Sequence, residues 1–149
     1  MPVFYHVDSE RQLVIYATRG QCTGMELFVA EQEARKDPNR RPGMRILMDL
    51  QGAEEFDFSL EDLNRGVEMN SQLESSGWEL EKTAVLIRST HDEISAGLYD
   101  DLASPGVQLR MATFKTLEPA LAWLGLPGQR DEVERLLEGL RGQPRSGGE

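Results

Sequence analysis

Apolar residues along this chain follow two rhythms, and the switches between them mark out the elements. Val3–Val7 and Leu13–Thr18 are extended runs rich in Val, Ile, Tyr and Phe. Asp8-Ser-Glu-Arg between them suits a β-hairpin with a short polar loop. From Thr23 to Arg35 the spacing becomes helical, with Leu27, Ala30 and Ala34 on one face. Thr23-x-x-Glu26 opens that helix as a capping box, each side chain satisfying the other's backbone amide. Asp37-Pro-Asn-Arg-Arg-Pro-Gly43 ends it, because two prolines and a glycine do not continue a helix.

Arg45–Leu50 and Thr83–Ile87 are apolar almost throughout, as expected of strands buried on both faces in a parallel sheet. Val107–Phe114 alternates at first, which places it nearer a sheet edge. Helices are expected between and after these strands: Ser59–Ser75 opened by Ser59-x-x-Asp62, His91–Ala103 capped by Thr90-x-x-Glu93, Thr116–Leu124 and Gln129–Leu140. The last two carry the stripes Leu117/Ala120/Leu121/Leu124 and Val133/Leu136/Leu137/Leu140. The order β-β-α-β-α-β-α-β-α-α predicts α/β architecture with right-handed crossovers. In the 59–75 helix, Leu60, Leu63 and Val67 form a face expected to pack on the sheet. Met69 and Leu73 fall on the opposite side, unless Gly66 kinks the helix and resets its face.

The 149-residue length fits one domain, expected over residues 1–141, followed by a polar tail, 142–149, without an apolar anchor. No run approaches a membrane span, and the start lacks the basic and apolar regions of a secretory signal. Cys22 is the single cysteine, which suits a reducing cytoplasm. The net charge is −10, and the excess lies within residues 54–101, where thirteen acids face Arg65, Lys82 and Arg88. Such a block repels nucleic acid and anionic membrane, and it attracts a basic partner.

Candidate chemistry is sparse. His6 and His91 are the two histidines, and neither has the spacing of a zinc site; no catalytic set, metal site or cofactor motif is expected. Cys22 stands near a helix N-terminus, where a thiolate is favoured. Asp49 ends a buried strand, where open α/β sheets bind ligands. A receiver-type phosphoacceptor would also need acids ending the first strand and a lysine ending the last. Asp8 precedes a hairpin and Lys115 lacks a strand context, so Asp49 is expected to accept amides of the loop that follows it.

The segment Met48-Asp-Leu-Gln-Gly-Ala-Glu-Glu-Phe-Asp-Phe-Ser-Leu60 resembles the stretch after the central strand of anti-sigma-factor antagonist (STAS) domains. There Asp-Leu leads to Asp-Ser-Ser-Gly-Leu at a helix start, whose second serine is the phosphorylation switch. Asp57 matches the Asp and Ser59 the second serine, whereas Phe58 and Leu60 replace the first serine and the glycine. From Val3 to Leu126 the chain is similar to the uncharacterised bacterial STAS/SEC14-like (SpoIIAA-like) proteins. Phe4-Tyr-His-Val-Asp8, Arg41-Pro-Gly43, Asp49-Leu50 and Leu117-x-x-Ala-x-x-Trp-Leu124 carry that likeness in order. The resemblance implies a SpoIIAA/STAS-like mixed sheet of about five strands with flanking helices, and a regulatory role without a cofactor.

The expectation is therefore a cytoplasmic, non-enzymatic module that binds a basic protein. Asp57, Glu61, Asp62 and Glu68 would supply the charged rim, Met69 and Leu73 the apolar anchors, and Ser59 a switch or only a helix cap. A homodimer is expected through Met69, Leu73, Trp78 or Tyr99. The alternatives are a small-molecule or lipid carrier of SEC14-like type with an enclosed apolar pocket, and an enzyme using Asp49 and Asp57.

Overall fold

The computed structural model describes residues 3–57, 59–77, 81–88 and 110–142, without the side chains of Leu63 and Glu74. Its elements are β1 (Val3–Asp8), β2 (Leu13–Thr18), β3 (Gly20–Thr23), α1 (Gly24–Arg35), β4 (Arg45–Asp49), β5 (Ala53–Asp57) and α2 (Leu60–Ser75). They continue with β6 (Thr83–Leu86), β7 (Met111–Phe114), α3 (Leu117–Trp123) and α4 (Arg130–Arg141). Five strands form a mixed sheet in the order β1-β2-β4-β6-β7. β1 pairs antiparallel with β2, and every other pair in this sheet is parallel. The expected 91–103 helix, Trp78, Tyr99 and the 143–149 part of the tail lie outside the described residues.

Helices cover both faces. α1 packs on β1 and β3, while α3 packs on β6 and β7 and α4 on β2 and β1. Alternate residues of the central strands divide between two cores. Val14, Tyr16, Ile46, Met48 and Val85 meet Leu27, Ala30 and Ala34 of α1. Leu13, Ile15, Ala17, Leu47, Ala84 and Leu86 meet Leu121, Val133, Leu137 and Leu140. Burial on both faces explains why β2 and β4 read as unbroken apolar runs. β7 lies at the sheet edge, in keeping with its mixed pattern.

Two strands escaped the periodicity. Gly20–Thr23 and Ala53–Asp57 pair with each other in parallel as a small second sheet. Each is too short to show alternation, and each is a strand only because the other lies beside it.

The packing of α2 departs from the expected one at Leu60, while Val67 is half-buried, as are Met69 and Leu73. Leu60 is 69% exposed, so it does not pack on the sheet. Instead α2 lies on α1, and Gly66 is the point of approach: a Cβ there would sit 2.3 Å from Cζ of Phe28. At 100° per residue, Asp62, Gly66, Met69 and Leu73 fall within about 60° of one another. That is the inward arc, with Asp62 buried and Met69 and Leu73 half-buried. The helix runs through Gly66 without a break. Gly66→Ala should destabilise the fold by about 1–3 kcal/mol through overpacking. In a Phe28→Ala background the same change should cost far less, and a double-mutant cycle in urea measures the difference.

Candidate functional site

The carboxyl ends of β2, β4, β6 and β7 share one edge of the sheet, and the chain's own polar groups fill it. Asp49 is fully buried at the end of β4. Its Oδ1 accepts the Gln51 amide at 2.9 Å, the expected turn bond, and its backbone carbonyl accepts Thr18 Oγ1 at 2.9 Å. Its Oδ2 pairs with Nη2 of Arg141, the last residue of α4, a partner the sequence did not signal. Gln51 then reaches across the edge, its amide donating to the carbonyls of Ile87 at 2.9 Å and Lys115 at 2.7 Å. Lys115 does follow a strand directly, contrary to expectation, but it is exposed, and Asp49's charge partner is Arg141.

Gly52 makes this arrangement possible. A Cβ at this position would lie 2.1 Å from the Thr18 carbonyl oxygen and 3.3 Å from Nε of Arg141. The turn after β4 can pass over β2's end and under Arg141 only without a side chain.

Beyond Gly52 the chain turns outward. β5 exposes Glu54, Glu55 and Asp57 and buries Ala53 and Phe56. At the start of α2, Ser59 is exposed and acts as the helix cap. Its Oγ accepts the Asp62 amide at 3.1 Å, and Asp62 Oδ2 accepts the Ser59 amide at 3.3 Å. Asp62 is thus a buried structural group, whereas Glu61 and Glu68 are exposed. Glu81, counted among the acids of this stretch, is also buried and pairs with Arg40. The carboxylates of Glu54, Glu55, Asp57, Glu61 and Glu68 remain exposed along β5 and α2, with Arg65 4.0 Å from Glu61 and Arg88 donating to the Glu54 carbonyl at 2.9 Å.

Other candidates fall away from these carboxylates. Cys22 is buried in β3, and burial together with nearby Glu26 pushes its thiol up to about 12, far from a reactive thiolate. His6 is exposed on the edge strand β1. At the opposite, amino edge of the sheet lies an open cleft of about 480 Å³, lined by Glu10, Arg11, Arg45, Gln129 and Glu132 among others. Arg11 is already held there by Asp8, Gln129 and Glu132. Burial tends to raise the Asp8 carboxyl, but the bonds from Arg11 outweigh it and hold the group below its usual range. Among the described residues, no group of three His, Cys, Asp or Glu side chains could hold a metal ion. No described helix is long and apolar enough to cross a membrane.

Among solved structures, the chain resembles the crystal structure of an uncharacterized protein of the DUF3478 family, with a SpoIIAA-like fold, from Shewanella loihica. The two agree with a TM-score of 0.52 over 82% of this chain and 93% of that one, at 15% sequence identity. The fold is SpoIIAA-like. That likeness accounts for the mixed five-stranded sheet and its helical layers. No protein-family model and no curated protein matches the chain. Within the SpoIIAA-like frame, Ser59 occupies the cap of the helix after the small second sheet.

Proposed function

We propose that the chain is a non-enzymatic regulatory module of STAS type that binds a basic protein through the strip running from Glu54 to Glu68. The observation that carries this reading is the exposure of Glu54, Glu55, Asp57, Glu61 and Glu68 on the consecutive elements β5 and α2, which keeps five carboxylates at the surface although Asp62 and Glu81 turn inward. Charged strips of this kind raise association rates and exclude wrong partners. The Ser59 hydroxyl, exposed at the strip's centre, is the natural position for a modification that would alter its charge. The enzyme alternative has less support, because both carboxylate oxygens of Asp49 are taken by Gln51 and Arg141. The carrier alternative gains nothing from the amino-edge cleft, whose lining is charged.

Affinity capture from the source cell, followed by mass spectrometry, identifies the partner, and surface-plasmon kinetics then test the strip. The association rate should fall roughly tenfold from low to high salt, and several-fold in a Glu61→Gln, Glu68→Gln double variant, with dissociation little changed. A salt-insensitive association rate would refute the proposal. Asp62 is best left intact, since removing its cap costs about 1 kcal/mol of helix stability and confuses the reading.

A further inference from the structure

The open cleft at the amino edge of the sheet lies away from the strip, and its walls come from three parts of the chain. The β1–β2 loop supplies Glu10, Arg11 and Gln12, the start of β4 supplies Arg45, and the α3–α4 connection with the first turn of α4 supplies Leu126 and Glu132. Arg45 is fixed in place. Gln12 has a φ of 53°, a left-handed conformation that no other non-glycine among the described residues adopts. The turn presents two successive carbonyls to Arg45: that of Arg11 accepts from Nη2, and that of Gln12 accepts the Arg45 amide at 3.1 Å. Arg45 Nη1 donates to the Leu124 carbonyl at 2.8 Å. Its guanidinium is thus held by neutral oxygens that cancel none of its charge.

The charges lining the cleft are not matched among themselves. Arg11 is neutralised by Asp8 and Glu132, and Gln129 accepts from its Nε at 2.8 Å. Arg45 and Glu10 remain, and among the described residues neither forms an ion pair with the other or with any third group. They are nonetheless near neighbours, since Arg45 bonds the carbonyl of Arg11, the residue that follows Glu10. A fixed cation, an exposed anion and one aliphatic side chain, Leu126, therefore border the same space of about 480 Å³. That volume lies within the usual range for small-molecule sites.

We infer that this cleft binds a free α-amino acid with an apolar side chain, its carboxylate on Arg45, its ammonium on Glu10 and its side chain against Leu126. A simple anion would be repelled by Glu10 and a simple cation by Arg45, whereas an α-amino acid carries both charges close together. A guanidinium positioned in advance loses little freedom when it pairs with a carboxylate. Pairing through the exposed Glu10 contributes less, because water screens it. The cleft is open, so its ligand exchanges with solution as an effector does and is not an enclosed cargo.

Amide chemical-shift titration of the intact protein with L-leucine tests the site. Saturable shifts should appear at Gln12, Arg45, Gly128 and Gln129, with a dissociation constant on the order of 1 mM. Isoamylamine, which is leucine without its carboxylate, should bind at least about tenfold more weakly. Isocaproate, which is leucine without its ammonium group, should bind about two- to fivefold more weakly. In Glu10→Gln, L-leucine and isocaproate should bind alike, and because Glu10 is exposed the variant should fold as the wild type does. The absence of saturable shifts at these amides, equal binding of the three compounds, or a preference for L-leucine over isocaproate that survives in Glu10→Gln would each overturn the inference.

Discussion

Gly52→Ala is expected to cost roughly 3 kcal/mol or more, the upper end for overpacking, because the clash is with backbone and not with a side chain that can swing away. The new methyl would lie 2.1 Å from the Thr18 carbonyl oxygen, well inside any tolerated approach. Relief requires moving the end of β2 or the turn after β4, and both are fixed: Thr18 bonds the Asp49 carbonyl and Gln51 bonds the Asp49 carboxylate. For a chain of this size the loss corresponds to roughly 10 °C in Tm. Gly139→Ala is the control, since a Cβ there meets nothing within 4 Å and sits inside α4. It should raise stability by about 0.5–1 kcal/mol through helix propensity. Thermal unfolding followed by circular dichroism reads both, and equal Tm values for the two variants would contradict the close-approach argument.

Arg141→Ala should be nearly as damaging, at about 3–5 kcal/mol, for an electrostatic reason. Asp49 has no exposed surface, whereas the Arg141 side chain is 36% exposed. Removing the arginine strands an anion in the interior; removing the anion leaves a cation that water can reach. Asp49→Asn should therefore cost less, because an amide oxygen still accepts the Gln51 N–H. The double variant should recover much of what Arg141→Ala loses. Urea unfolding of the four proteins gives the coupling free energy directly. Additive losses would show that Arg141 stabilises the fold by packing alone.

What the sequence showed and what it hid divide along a physical line. Where a segment's own pattern decides its state, reading it was enough. Thr23 and Glu26 form the capping box in full. The stripes of α3 and α4 face the sheet, and β2, β4 and β6 are buried on both sides. Where a distant residue decides, the pattern was silent or misleading. β3 and β5 exist through each other. The inward face of α2 is set by a glycine that contributes nothing to hydropathy, because Phe28 needs the space. Glu31, Asp62 and Glu81 look like solvated acids until the arginine or the helix end that holds each one is known. In the candidate site, Asp49 and its turn bond were legible. Its charge partner was not, because the two stand 92 residues apart.

That separation carries a consequence for the chain's manufacture. A ribosome delivers the β4 carboxylate long before the guanidinium that neutralises it, by roughly 5–20 s at about 5–20 residues per second. Until then the central strand ends in an anion that cannot be buried without cost, so water is kept at the carboxyl edge and the strands wait to close. A nascent chain lacking α4 would therefore hold a wet, half-docked sheet and become tightly packed only as its last helix arrives.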